Sequence, residues 1–275
     1  MPGPRQDSKG LSYASSLVSS STVTATIKFK TSATLLRTLF PNSAYRFRKT
    51  DTVALVSFSV QTLSNMAWLA GGSYDLLGFF IHDVDYTTQN GQVLHGSYCP
   101  VMFENLTDPI LSGREELGYP KVFSDISIST GNQNGAKTCE ARLSWRGAEW
   151  ATFRWHGLSE SHVDDSQPNG LSEPTDEGLL VHKCVPATGK SVRSKHRADA
   201  EYDVFIPSSK PGEPRVATVQ KAEHAEFKIK DLGFNKLPTL HHIVSWLAEV
   251  PVFEIVEANI VNMDGVADLS GARRI

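Results

Sequence analysis

Apolar and polar positions along this chain recur mostly with a period of two, the spacing that puts alternate side chains on opposite faces of a strand. Val23-Thr24-Ala25-Thr26-Ile27-Lys28-Phe29 alternates in this way. Residues 52–60 are β-branched and largely apolar, and residues 77–84 form another apolar run, the pattern of strands buried on both faces. Residues 142–146 and 150–155 predict two strands joined by a turn containing Gly147. Residues 202–206, 222–229 and 253–261 continue the pattern, with turn-forming residues between most of them.

Helical spacing is confined to three short segments. Residues 32–40 carry Leu35, Leu36, Leu39 and Phe40 on one face, begin near a Ser/Thr cap and stop at Pro41. Residues 108–116 predict a short helix with Asp108 as cap and Pro109 at its first position. Residues 239–249 place Leu240, Ile243, Val244 and Leu247 at helical spacing. Residues 159–178 and 186–200 are polar and predict surface loops, the second carrying Lys190, Arg193, Lys195, His196 and Arg197. Residues 1–21 are polar and rich in Ser and Gly, and predict a disordered lead-in to one domain over residues 22–275. The pattern therefore predicts a mainly β, largely antiparallel protein with a few helices.

Composition narrows the function. The chain has 275 residues and is 40% hydrophobic, enough for a sizeable core. A formal charge of −3, from 27 basic and 30 acidic residues, argues against a nucleic-acid surface or a membrane-binding basic face. No run of apolar residues is long enough to span a bilayer, and the N-terminal stretch lacks the apolar centre of a secretion signal. Three cysteines, Cys99, Cys139 and Cys184, have no paired spacing, so a cytoplasmic setting without a disulfide framework is expected. His241 and His242 are adjacent, about 100° apart on a helix, and do not share a metal easily. With no metal-binding spacing, no phosphate-binding glycine loop and no Gly-x-Ser-x-Gly elbow, neither a metal nor another cofactor is expected.

The candidate chemistry lies in Ser112-Gly113-Arg114-Glu115-Glu116-Leu117-Gly118-Tyr119-Pro120-Lys121. A lysine at the start of a strand-like apolar run is exposed to desolvation, which disfavours the ammonium and lowers its pKa. The neutral amine is a nucleophile that forms a Schiff base with a ketone or aldehyde. The plain alternative is a surface lysine laying its stem on apolar neighbours.

The words around Lys121 bear on that choice. Gly-Arg-Glu-x-x-Gly-Tyr-Pro-Lys resembles the Schiff-base motif of the acetoacetate decarboxylase family, in which the lysine after Tyr/Phe-Pro condenses with the substrate's keto group. Gly71-Gly72-Ser73-Tyr74-Asp75-Leu76-Leu77-Gly78 resembles that family's upstream Gly-x-Tyr-x-Glu-x-Gly turn, and Pro251-Val252-Phe253-Glu254-Ile255-Val256 its closing Pro-Val-x-Glu-Ile-Val segment. The anchors keep family order over about residues 25 to 270. The resemblance implies an antiparallel closed β-barrel or cone with peripheral helices, Lys121 pointing inside, a small-molecule carbonyl substrate, and assembly into a homo-oligomer.

The chain also departs from the family pattern. The family's second lysine falls at Val122, its acid two positions after the tyrosine falls at Leu76, another carboxylate falls near Ser59 to Gln61, and its substrate-gripping arginine falls near Thr22. Asp75 stands one residue early, which on a strand is the opposite face, so it replaces the acid only if the turn differs locally. The imine former is thus kept while the groups that handle a β-keto acid are lost, and acetoacetate itself is not the expected substrate. Arg114 and Glu115 are expected either to meet a carboxylate at the pocket mouth or to form a buried pair that fixes the turn. Tyr119 is expected to donate beside Lys121 or to fill core, and Trp68, Tyr74, Phe79 and Phe80 to line a pocket or to be plain core. Two readings of function stand side by side. One is a carbon–carbon lyase-like enzyme of specialised metabolism that uses a Lys121 imine for decarboxylation, aldol, dehydration or cyclisation chemistry. The other is a pocket protein that binds a hydrophobic carbonyl metabolite without imine chemistry.

Overall fold

The computed structural model describes residue 5 and residues 20–161, 177–189, 198–208, 215–267 and 269–275. Most of the expected lead-in, and most of both polar loops with the basic cluster from Lys190 to Arg197, lie outside the described residues.

The period-two segments form strands: β1 (Ser21–Ser32), β2 (Tyr45–Phe47), β3 (Val53–Met66), β4 (Gly72–Thr87), β5 (Val93–Glu104), β6 (Lys121–Phe123), β7 (Asp125–Gln133), β8 (Ala136–Trp145), β9 (Ala148–Ser161), β10 (Gly178–Pro186), β11 (Ala198–Pro207), β12 (Arg215–Lys221), β13 (His224–Ile229), β14 (Glu254–Asp264) and β15 (Arg273–Arg274). The helices are short: α1 (Ala33–Leu36), α2 (Thr107–Ser112), α3 (Gly233–Lys236) and α4 (His241–Ala248). Ser32 caps α1 by accepting from the Leu35 amide at 3.3 Å. The β8–β9 turn has positive φ at Arg146 (49°) and Gly147 (79°), the twist that a tight hairpin needs and that glycine supplies without strain. The expected Asp108 cap is not formed: α2 starts at Thr107 after Leu106, which places Asp108 and Pro109 inside its first turn.

The strands join as one mixed, mostly antiparallel sheet in the order β15-β11-β10-β5-β4-β3-β1-β14-β12-β9-β8-β7, with β13 on β9, β2 on β4 and β6 on β5. Among the described residues this path runs from β15 to β7, and no pairing joins those two strands.

Strand alternation divides the interior into two apolar clusters. From β4, Leu77, Phe79 and Ile81 enter one cluster with Ile27, Phe29, Phe58, Trp150 and Phe153. Also from β4, Tyr74, Leu76 and Phe80 enter a second cluster with Cys99, Met102, Leu117, Tyr119, Val181, Val204 and Ile206. Strands β4 and β5 are therefore walled on both sides. This second cluster surrounds the candidate site.

Candidate active site

Register decides which side chains meet. The parallel pair β5–β6 sets Met102 opposite Lys121 and Phe103 opposite Val122. The antiparallel pair β4–β5 sets Leu76 opposite Glu104. Paired residues share a face, as do residues two apart on a strand, so Leu76, Met102, Glu104 and Lys121 all face the second cluster. Val122 faces the other way and packs on the first cluster. The shielding of Lys121 thus comes from this shared face and not from Val122.

The turn before β6 delivers the lysine. After α2 the chain makes a single π-helical turn over Gly113–Leu117, then Gly118 takes φ 77°. That left-handed conformation suits glycine. A Cβ at Gly118 would also sit 3.3 Å from the Lys183 Cβ and a Val204 methyl. The reversal is closed by the Tyr119 amide donating to the Gly113 carbonyl at 3.0 Å. Gly113 is the floor on which the lysine lies: a Cβ there would fall 2.5 to 2.6 Å from Lys121 Cε, Cδ and Nζ. Because the lysine end is flexible, Gly113→Ala should fold but push the amine aside. Displacement of a reacting group by about 1 Å costs about 100-fold in rate, so imine formation should fall by about that factor, measured as the rate of borohydride trapping with a ketone. An unchanged rate would show that the amine has no fixed seat.

Lys121 is 7% exposed and Glu104 fully buried. Their Nζ and Oε1 atoms stand 2.7 Å apart, and Lys121 Nζ donates to the Pro109 carbonyl at 3.1 Å. Oε1 is thus paired with the Lys121 amine, and no other donor reaches either Glu104 oxygen among the described residues. Burial lowers the Lys121 pKa, and it stays lowered against the pull of Glu104; the Arg5 charge adds to the lowering. Burial raises the Glu104 pKa, against the pull of Lys121. Desolvation thus pushes both partners toward their uncharged forms, a free amine beside a carboxylic acid.

Tyr119 and Tyr74 lie beside this pair. The Lys121 amine is 5.2 Å from the Tyr119 ring centroid. Burial pushes both phenols well above their usual range, and the Glu104 charge adds to each shift. They therefore stay protonated and able to donate. The Cys99 thiol is buried and pushed up to about 12, so it is no competing nucleophile at neutral pH. Trp68 packs edge-on to Tyr74 with ring centroids 6.4 Å apart and borders the same cluster. Phe80 belongs to that cluster, whereas Phe79 is core on the other side.

Three candidates lie elsewhere. Arg114 is exposed and donates to the Lys121 carbonyl at 3.0 Å, holding the strand from behind instead of meeting a carboxylate at the amine. Glu115 is exposed, and its backbone carbonyl accepts from Lys183 at 2.9 Å; a buried Arg114–Glu115 pair is not formed. Asp75 accepts from Thr62 Oγ1 at 2.6 Å and Asn105 Nδ2 at 2.9 Å, so it pins the residue next to Glu104 and does not replace the missing acid.

Two charged groups near Lys121 were not expected. Glu104 ends the apolar run Val101-Met102-Phe103, and a charge at that point in a two-faced buried strand was the available signal. Arg5 comes from the N-terminal stretch, is held by Glu116 through contacts of 2.6 and 2.7 Å, and lies near enough for its charge to act on Lys121, Tyr74 and Tyr119. Among the described residues no group of His, Cys, Asp and Glu is arranged to hold a metal, and no helix is long and apolar enough to cross a membrane.

A family model described as acetoacetate decarboxylase matches residues 5–264. The chain belongs to the acetoacetate decarboxylase family. A search of curated proteins finds no match. Among solved structures, the chain is similar to the enduracididine biosynthesis enzyme MppR complexed with pyruvate (13% identity, 97% of this chain and 94% of that one, TM-score 0.64). It is also similar to an acetoacetate decarboxylase from Legionella pneumophila (14%, 99% and 93%, TM-score 0.58) and to an acetoacetate decarboxylase-like enzyme from Sphingomonas wittichii (11%, 96% and 95%, TM-score 0.58). At these identities the structural likeness speaks for the fold. Within the family fold, the acid that the resemblance places at Leu76 is missing, and Glu104 stands directly across the strand pair from it.

Proposed function

We propose that this member of the acetoacetate decarboxylase family is an enzyme that condenses Lys121 with the carbonyl carbon of a small or medium keto compound. The observation that carries the reading is the buried Lys121 amine, whose pKa desolvation lowers despite a carboxylate 2.7 Å away. In the imine the carbonyl carbon becomes an electron sink, and a bond next to it can break with its electrons delocalised toward nitrogen. Decarboxylase-like, aldol, dehydration and cyclisation chemistry all follow from that sink. The loss of the family's cation at Val122 and acid at Leu76 argues against acetoacetate itself. The structure of MppR with the condensation product of pyruvate and imidazole 4-carboxaldehyde supports a carbonyl metabolite of specialised metabolism as substrate. A closed β-cone and a homo-oligomer belong to the same reading on the family's pattern.

The 2.7 Å contact with Glu104 favours one competing reading, in which Lys121 acts only as a charge that holds a ligand. The pH dependence of imine formation separates the two. Only the unprotonated amine attacks a carbonyl, so a lowered pKa brings competence at lower pH. Cyanoborohydride-trapped adduct with pyruvate or 2-butanone, measured against free Nα-acetyl-lysine, should rise with pH to a midpoint below the ~10.4 of an ordinary lysine. A midpoint equal to that of the free amine would contradict the proposal.

A further inference from the structure

We infer that Glu104 is a catalytic base that takes a proton from the carbon next to the Lys121 imine, so that the site makes an enamine from a ketone or 2-oxo acid bearing a C–H at that carbon. The inference rests on the Schiff-base reading and adds to it the reaction type and the substrate class.

The geometry supports it in three ways. Glu104 and Lys121 share one face of the β4–β5–β6 sheet, and Oε1 stands 2.7 Å from the amine. The α-carbon of an imine is two bonds from the nitrogen, so a carboxylate that abuts the nitrogen is within reach of the α-hydrogens. Both carboxylate oxygens are buried, and apart from the Lys121 amine at Oε1 no donor reaches them among the described residues. A buried acceptor without a donor is costly as a purely structural element; here Oε2 is left open to take up a proton. Its two chain neighbours are held without spending its lone pairs: Asp75 clamps Asn105, and Phe103 anchors the strand on its opposite face. Desolvation of Glu104 raises its basicity, the direction a general base needs.

The steps balance without an oxidant or reductant. The amine nitrogen bonds to the carbonyl carbon, and the carbonyl oxygen leaves as water with one amine proton and the proton that the amine shares with Glu104, so that a protonated imine remains beside the Glu104 carboxylate. Glu104 takes an α-proton, the C–H electron pair becomes a carbon–carbon double bond, and the C=N π pair returns to nitrogen. The neutral enamine is a carbon nucleophile that adds to an aldehyde or, when a β-hydroxyl is present, expels it as water. Reprotonation by Glu104 reverses the step.

The test uses the whole protein with pyruvate and 2-butanone in D2O. Exchange of α-protons is followed by proton NMR, and imine formation is followed in parallel by borohydride trapping. The wild type should trap and exchange. Glu104→Gln should still trap, while its exchange falls by about 100-fold or more, the contribution of a positioned base. Glu104→Asp, which keeps a carboxylate one methylene short, should trap with exchange between the two, and it carries the test if the glutamine variant does not fold. Three results would overturn the inference alone: a wild type that traps but does not exchange, a folded Glu104→Gln that exchanges at the wild-type rate, or a folded Glu104→Gln that no longer traps. A wild type that traps neither probe removes the Schiff-base reading and the inference with it.

Discussion

Lys121→Arg is expected to yield no trapped adduct and to reduce turnover of any carbonyl substrate to the uncatalysed background. Arginine stays protonated in proteins and does not condense with a carbonyl. The substitution keeps the positive charge beside Glu104, so a site that needs only charge would retain part of its function with arginine and lose it with alanine. An imine site loses everything with both. Folding must be checked, because the lysine end lies against Gly113 with no room for an added Cβ there. Lys121→Met, of similar length and without charge, provides the control. It leaves Glu104 without its ion-pair partner, yet the burial that raises the Glu104 pKa lets the group take a proton instead of remaining an isolated anion. A folded Lys121→Arg protein with near-native turnover would rule out the imine.

The second large effect is on stability. Trp150 is fully buried, its ring lies 4.7 Å from that of Phe103, and its indole nitrogen donates to Ser124 Oγ at 3.1 Å. Ser124 in turn donates to the Ser144 carbonyl at 2.9 Å and so ties the start of β7 to β8. Trp150→Ala removes the ring and leaves a cavity behind the strand that carries Glu104. The expected cost is about 3–5 kcal/mol, or a fall in Tm of roughly 6–20 °C for a domain of this size. Urea unfolding followed by far-UV circular dichroism measures it. A loss below about 1 kcal/mol would show that β5 is not held from this side. Because Phe103 adjoins Glu104, the variant should also lose imine formation at temperatures where it remains folded.

What the sequence revealed followed from how one-sided each segment is. Strands β1 and β3 and the β8–β9 hairpin were readable because alternation or a glycine turn marks them, and Lys121 because a specific motif surrounds it. Strand β5 was not readable. It is walled by both apolar clusters, so its two faces carry the same chemistry, and Gly96 and Pro100 interrupt it. Missing β5 hid Glu104, and with it the acid across the strand pair from Leu76. The parity rule that set Asp75 on the wrong face was sound, and the same rule shows that Val122 does not shield its neighbour. Arg114 and Glu115 stood out in the motif, but on the π-helical turn their side chains are exposed to solvent. Arg5 carries no local pattern, since its place depends on a long-range pair with Glu116.

The most direct test of the central claim is reduction with borohydride in the presence of pyruvate or 2-butanone, followed by intact-protein mass and peptide mapping. The account predicts one added substrate residue per chain, located on Lys121 and absent from Lys121→Arg. No mass gain, or an adduct carried by an exposed lysine with Lys121 unmodified, would contradict it.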